Sequence, residues 1–583
     1  MHSSLSLYYL SLGLAAAATS PYAPTTTSCP SGPLVRSGNT DLSDREEAYR
    51  VARKEKADDA LAQWLDRQSP GLGSSSGSLP ALALSISGGG WRSFLTGAGV
   101  IQAMDAREQV TNNNNNTNTT TTTSSNNAAT KGLLQAMSYH VGVSGGGWLV
   151  SSWAGNGFPT VTQLAGDLWK PAFSHGLEAP GGWEAARGAY ADIAADVRAK
   201  GDAGYPTSLN DPWSRLLSYQ LLPGDRGGAA VRLSDVAGFP SFVGHDAPFP
   251  IIDANGVDTK AGRCGPTDNG TVWEFTPFDF GSWSDGVAAW IPVEYLGTGA
   301  NDTNCTAGFD NLGFVLGTGS NLFGNQACVE TDAFGAAEKD VLDKLAGVLH
   351  AVDEKLDFAR IPNPFRGLDT GAPGAGGQAK EVFHLDELYL VDGGLGLHND
   401  PVQPLLEPAR NVSVIVLSDS SADEDDFPTG ASLVDASWYT KNTSRIAARM
   451  PTIPPRDTFL EQGLNKRAVF FGCGEPEAVT IVYLPNVNYT YQSNLPTTKF
   501  QYDFDVTEGM IANGGATATQ DGEEGWGLCL ACAVMMKEEG ASLPDGCGAC
   551  FEKWCYKPES TLPSNSTAPA SVVRRASLKA PRW

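Results

Sequence analysis

Val141-Gly142-Val143-Ser144-Gly145-Gly146-Gly147-Trp148 sets one serine between an apolar run and a glycine-rich step into a second apolar run. It contains Gly-x-Ser-x-Gly, the pattern of a nucleophile on a sharp strand-to-helix turn. Leu133 to Val143 leads into this turn as a strand, and a helix starts at Trp148. The same five residues, Ser-Gly-Gly-Gly-Trp, also occupy 87–91, inside Ala83-Leu84-Ser85-Ile86-Ser87-Gly88-Gly89-Gly90-Trp91-Arg92. Here the pattern predicts a buried strand over Leu79 to Ile86, a turn over Ser87 to Gly90, and a helix from Trp91 to about Arg107. Two strand–turn–helix units in close succession argue for an α/β sheet with its site at the carboxyl ends of the strands.

The two turns divide the chemistry of acyl transfer between them. Ser144 supplies an attacking hydroxyl, and the start of its helix favours negative charge. The first turn aims backbone N–H groups at a developing oxyanion. A serine also needs a proton acceptor. The seven histidines (His2, His140, His175, His245, His350, His384 and His398) sit in no catalytic signature. Asp392 is the better candidate, because it follows the apolar run Leu388-Tyr389-Leu390-Val391 and precedes Gly393-Gly394. Alone, Asp-Gly-Gly is an ordinary turn; beside the two serine motifs it becomes a candidate base. Partial burial at a strand end raises a carboxyl pKa and makes it a better base, which is compatible with an acidic working pH. A Ser144–Asp392–His398 triad remains open as the alternative, and so does a non-catalytic lipid- or glycan-binding protein in which both motifs are mere turns.

The bulk composition narrows the setting. The chain has 583 residues, 41% of them hydrophobic, and a net charge of −25. That charge argues against nucleic acid as a partner, since phosphate binding needs a basic face. Residues 1–18 read as a signal peptide, an apolar stretch ending in small residues. No later run approaches the ~18 apolar residues of a spanning helix. Sequons at Asn115, Asn118, Asn269, Asn301, Asn304, Asn411, Asn442, Asn488 and Asn565 agree with a secreted glycoprotein. Of the ten cysteines, Cys529-x-x-Cys532 and Cys547-x-x-Cys550 have four-thiolate zinc spacing. An oxidising compartment favours disulfides over zinc there, and no metal site is expected.

Residues 19–40 are rich in Pro, Thr and Ser and read as extended, and Asp41 to Arg67 as an amphipathic helix. The Asn/Thr tract at 111–130 is a low-complexity surface loop. The aromatic run from Trp273 to Trp283 reads as core, with an acyl-chain cleft as the alternative. Asp423-Glu424-Asp425-Asp426 reads as a solvated loop, 529–555 as a cysteine-rich part, and 561–583 as a flexible tail.

Taken in order along 28–560, the motifs resemble the fungal secreted lysophospholipases, also called phospholipases B, of the cytosolic-phospholipase-A catalytic-domain family. The resemblance rests on Ser87–Ser93, Gly142–Trp148 and Val391–Gly394. It also rests on Pro248-Phe249-Pro250-Ile251-Ile252, Glu294-Tyr295-Leu296-Gly297, Gly308-Phe309-Asp310-Asn311, Thr458-Phe459 through Phe471-Gly472-Cys473, and the cysteine-rich tail. It implies one catalytic domain over 41–560 with a central mixed β-sheet flanked by helices, patatin-like, with large insertions. It implies a Ser144–Asp392 dyad, an oxyanion hole from Gly89 and Gly90, and Arg92 facing the substrate phosphate, with the Asn311 and Thr318 region near the cleft. The implied substrates are lysophospholipids and phospholipids at membrane or micelle surfaces, with no cofactor. Calcium independence is expected, because no spare segment suits the membrane domain of cytosolic relatives. The C-terminus lacks the apolar tail of a lipid-anchor signal, so a stable membrane anchor is not expected and cell-wall association stays open.

Overall fold

Ala81–Ile86 and Met137–Gly142 are buried at every position. Such burial belongs to parallel strands covered by helices on both faces. In the computed structural model, which describes residues 20–38, 40–108, 129–257, 270–284, 286–321, 358–368, 382–442 and 445–558, these two strands form the centre of the sheet. The leader, most of the 111–130 tract, His2, His350, Cys264, Cys328, four sequons (Asn115, Asn118, Asn269 and Asn565) and the 561–583 tail lie outside the described residues.

The elements that position the site are α1 (Asp44–Gln68), β1 (Ala81–Ile86), α2 (Gly90–Met104), β2 (Met137–Gly142), α3 (Gly145–Gly155), β3 (Phe249–Gly256), β4 (Glu387–Val391), β5 (Val412–Asp419), α4 (Ala431–Lys441), β6 (Thr480–Pro485) and α5 (Phe504–Thr519). Strands β6, β5, β1, β2 and β3 lie side by side and parallel. Beyond β3 the sheet turns antiparallel through Val272–Phe275, Asp279–Ser282, Ala289–Pro292 and Arg36–Ser37. Val469–Phe471 closes the other side against β6, and β4 pairs antiparallel with the end of β3 at Asn255 and Gly256. The result is one mixed sheet of twelve strands among the described residues.

The helices begin earlier than their apolar patterns suggest: α2 at Gly90 and α3 at Gly145 rather than at the tryptophans. Glycine disfavours helix in isolation. Here Gly145–Gly147 are fully buried against the strand ends, and tertiary packing overrides that preference. Likewise the first part of 133–143 is a short 3-10 turn, and the strand proper starts at Met137. Helix α1 is capped by Ser43, whose hydroxyl accepts the Glu46 N–H.

The 273–283 aromatic run is core. Trp273 stacks on Phe280 with ring centroids 5.1 Å apart and planes 8° from parallel, and both side chains are buried. The cysteine-rich part is closed by Cys529–Cys550 and Cys532–Cys547, so the two Cys-x-x-Cys pairs are joined crosswise as disulfides and not as a thiolate zinc site. Cys473–Cys555 ties this part to the sheet edge, and Cys29–Cys305 holds the N-terminal segment.

One buried cation joins α1 to the sheet. Arg410 is inaccessible to solvent and donates to Glu46 Oε1 at 2.9 Å, Glu274 Oε2 at 2.7 Å and the Pro404 carbonyl at 3.0 Å. Asp253, directly across from Glu274 on the neighbouring strand, has its carboxyl pushed well above the usual range by burial and by Glu274. Removing the cation leaves buried acids uncompensated. Arg410→Met is therefore expected to lower unfolding stability by about 3–5 kcal/mol, read as a shift of the urea midpoint; an unchanged midpoint contradicts this role.

Candidate active site

Parallel pairing of β1 with β2 sets Ile86 opposite Gly142, so both strands deliver their glycine turns to the same edge. The turns interlock there: the Gly146 N–H donates to the Ser87 carbonyl at 3.2 Å. The Ser87 hydroxyl accepts the Ser420 N–H at 2.7 Å, which ties in the end of β5.

Ser144 sits between β2 and α3 at φ 53°, ψ −126°. That is an unfavourable backbone for a residue with a Cβ, and the surrounding structure must hold it. Its own N–H donates to the Gly319 carbonyl at 2.9 Å. Two residues on, the Asn321 carbonyl accepts the Asp392 N–H at 3.3 Å. One short segment, 319–321, thus sets the spacing between Ser144 and Asp392.

Asp392 follows β4 and is 1% exposed. Its Oδ1 accepts the Gly394 N–H at 2.7 Å, while Oδ2 has no protein donor in hydrogen-bond geometry. Burial raises its pKa to about 6, with the Ser144 hydroxyl and the Gly394 N–H acting in the opposite direction. A carboxyl in that range takes and returns protons readily near neutral pH.

Gly89 and Gly90 adopt φ values of 139° and 60° at the start of α2, a conformation that L side chains avoid. The Gly88 N–H is committed to the Asn399 carbonyl at 2.9 Å. The N–H groups of Gly89 and Gly90 belong to the first turn of α2, which has no carbonyl of its own to offer them. A Cβ on Gly88 would stand 3.1 Å from the Cβ of Ser144, so the glycine turn and the serine are in contact.

A cavity of about 290 Å³ opens here, lined by Gly89, Ser144 and Asp392, with Asn399, Ser432 and Thr497 among the other wall residues. Arg92 is not in that wall. Its fully buried guanidinium donates to the Ser420 carbonyl at 2.9 Å, the Leu495 carbonyl at 2.6 Å and the Thr497 hydroxyl at 3.2 Å, with Asp426 3.4 Å away. Its Nη2 lies behind the loop, 3.0 Å from where a Cβ on Gly89 would sit. His398 is also outside the wall: its ring packs edge-on against Tyr439 at 4.2 Å, and burial lowers its pKa to about 4. Asn311 and Thr318 are buried under the site as the cap and last residue of the helix Leu312–Thr318.

Several site residues lack a sequence motif. The carbonyls of Gly319 and Asn321 act through the backbone, which side-chain patterns do not report. Asn399 and Thr497 reach the cavity from loops. Asp423, in the acidic run that reads as a solvated loop, lines the cavity as well.

A lysophospholipase catalytic-domain family profile matches residues 82–561. A lysophospholipase of Penicillium chrysogenum is 36% identical, covering 94% of this chain and 92% of its own length. Lysophospholipase 1 of Candida albicans is 34% identical over 95% of this chain and 92% of its own. Human GIVD cytosolic phospholipase A2 shares the fold, with a TM-score of 0.65 at 17% identity, covering 88% of this chain and 69% of that one.

If Asp392 is the base, it must be ionised to act. With its pKa raised to about 6, kcat/KM for cleavage of an acyl ester is expected to fall about tenfold per pH unit below that value. A profile flat down to pH ~4.5, nearer an ordinary carboxyl, contradicts the assignment.

Proposed function

The chain belongs to the lysophospholipase catalytic-domain family, and from that premise we propose that it is a secreted lysophospholipase, or phospholipase B, that releases fatty acids from lysophospholipids and phospholipids by a Ser144–Asp392 dyad. The observation that carries this reading is the strained serine turn sharing one cavity with a buried carboxyl on which the Ser144 hydroxyl acts.

In this mechanism Ser144 Oγ attacks the ester carbonyl carbon as its proton passes to Asp392. The carbonyl oxygen becomes an oxyanion and is held by the N–H groups of Gly89 and Gly90. Collapse breaks the bond to the glycerol oxygen, which takes the proton from Asp392 and leaves as an alcohol. Water then attacks the acyl-serine and gives a proton to Asp392. The second collapse returns that proton to Ser144 Oγ and frees the fatty acid. Every proton and charge is handled by protein groups, so turnover continues with excess chelator. The family resemblance implies that Arg92 meets the substrate phosphate directly. Its position behind Gly89 supports a more indirect part, in which it fixes the oxyanion loop and adds positive charge beneath it.

Secretion remains part of the proposal. It is supported by the leader-like start and by the surface exposure of Asn301, Asn304, Asn411, Asn442 and Asn488. Four disulfides among the described residues point to the same oxidising route. The histidine triad is the weaker alternative, since the His398 ring is buried against Tyr439 and outside the cavity wall. A non-catalytic binding protein gives no reason to hold Ser144 at positive φ.

The test is fatty-acid release from lysophosphatidylcholine with chelator present, each variant being checked for folding by circular dichroism. Ser144→Ala is expected to lose on the order of 10⁴-fold or more, and Asp392→Asn about 10²–10⁴-fold. His398→Gln should stay within a few-fold of wild type. A folded His398→Gln variant as inactive as Ser144→Ala would transfer the base role to histidine.

A further inference from the structure

Residues 20–27 form an N-terminal arm that no step of the proposed reaction uses, yet its first residues are buried. Two acids on neighbouring helices hold it. Asp196 lies on the helix Trp183–Asp202, and Asp211 in the first turn of the helix Asn210–Leu221. Ser20 Oγ donates to Asp196 Oδ1 at 2.5 Å, and the Tyr22 hydroxyl donates to Asp211 Oδ1 at 2.8 Å. Lys200 donates to Asp211 at 2.6 Å, while Arg215, at 3.2 Å, and Arg226 donate to Asp196. These cations already balance the acids, so the arm hydroxyls contribute direction, the geometric part of a charge-assisted hydrogen bond. Farther along, Thr25–Thr27 pairs antiparallel with Cys305–Ala307, and the Cys29–Cys305 disulfide follows. The arm is thus fixed at both ends.

The helix that receives Tyr22 also grips the segment on which the dyad depends. Beside Asp211, Asn210 Nδ2 donates to the Thr318 hydroxyl at 3.2 Å. Trp213 Nε1 donates to the Ser320 hydroxyl, also at 3.2 Å. These two bonds flank Gly319, whose carbonyl accepts the Ser144 N–H, and lead to Asn321, whose carbonyl accepts the Asp392 N–H. The contact between Asn210–Leu221 and Leu312–Thr318 leaves no slack, since a Cβ on Gly317 would stand 1.9 Å from Ser214 Oγ. Close packing of this kind transmits a shift of one helix to the other. Ser144, held at positive φ, depends on that support.

We propose that Ser20 and Tyr22 are positioning residues for the acyl-transfer step. Docked, they fix the first turn of Asn210–Leu221, and through it the 319–321 segment that spaces Ser144 from Asp392. The inference rests on the Ser144–Asp392 reading above. Ser20, Tyr22, Asn210 and Trp213 are all outside the wall of the catalytic cavity, so their effect belongs in kcat and not in KM.

The experiment uses the full chain carrying Ser20→Ala with Tyr22→Phe, at a temperature where circular dichroism shows each variant folded. The phenylalanine keeps the ring beside Lys200 and Arg215 and removes only the hydroxyl. For lysophosphatidylcholine, kcat is expected to fall about tenfold, the scale of a small misplacement of reacting groups. KM should stay within about twofold, and labelling of Ser144 by a long-chain alkyl fluorophosphonate should slow in proportion to kcat. Trp213→Phe, which removes the N–H on Ser320, should show the same kcat loss, and joining it to the arm variant should add little, because both interrupt one path. Arg410→Met, destabilised elsewhere in the molecule, should keep the wild-type kcat. If the double variant does not fold, Tyr22→Phe alone carries the comparison. A folded arm variant with wild-type kcat, a loss confined to KM, or full additivity with Trp213→Phe overturns the positioning role and leaves the lysophospholipase reading intact. A wild type that cleaves no lysolipid overturns that reading and the positioning role with it.

Discussion

Two glycine turns can share one site only because β1 and β2 run parallel and end together. Ile86 faces Gly142 across the pair, and the Gly146 N–H reaches back to the Ser87 carbonyl. The backbones are packed so closely that a Cβ on Gly145 would lie 2.0 Å from the Gly90 carbonyl oxygen. The repeated glycines are therefore a requirement of contact, and the contact is what sets the Ser144 turn against the Gly89–Gly90 turn. Segment 319–321 adds the third partner through the N–H groups of Ser144 and Asp392. Four segments distant in sequence thus meet by main-chain hydrogen bonds, which fix position without depending on flexible side chains.

Burial then sets the chemistry of the groups so placed. Desolvation disfavours the charged carboxylate and raises Asp392 to about 6. Behind the site the same effect lifts Asp419 to about 6, where its oxygens accept the Ser421 N–H and the hydroxyls of Ser421 and Tyr483. These bonds fix the chain just after β5, and the adjacent Ser420 carbonyl receives Arg92. Arg92, Ser420 and Thr497 therefore form a brace under Gly89, in which the arginine organises main chain and positions the loop. The cost of burying such groups is offset by dense hydrogen bonding, as it is at Arg410.

The parts of the molecule that rest on local sequence were legible in advance. The strands before both turns, the helices after them and the α/β class follow from apolar runs and glycine punctuation. The mixed sheet follows from the family resemblance, and the structure has it. Ser144 and Asp392 stand out because each follows an apolar run that forms a strand. The less legible parts depend on what lies across space. Helix starts at Gly90 and Gly145 contradict glycine's own preference and reflect burial against neighbouring strands. The place of Arg92 is decided by the carbonyls of Ser420 and Leu495, more than 300 residues away. The acidic run at 423–426 resembles any solvated loop until β5 and α4 bring Asp423 to the cavity. Cysteine spacing allowed zinc or disulfides, and only the approach of the helices Trp526–Met535 and Cys547–Trp554 pairs the thiols crosswise.

The central claim is that Ser144 is the nucleophile and Asp392 its activating base. Covalent capture by a long-chain alkyl fluorophosphonate, followed by peptide mass mapping and timed labelling, tests it most directly. The account predicts a single adduct on the peptide containing Ser144, and a labelling rate sharply reduced in Asp392→Asn. An adduct on another residue, or an Asp392→Asn variant labelled at the wild-type rate, would contradict it.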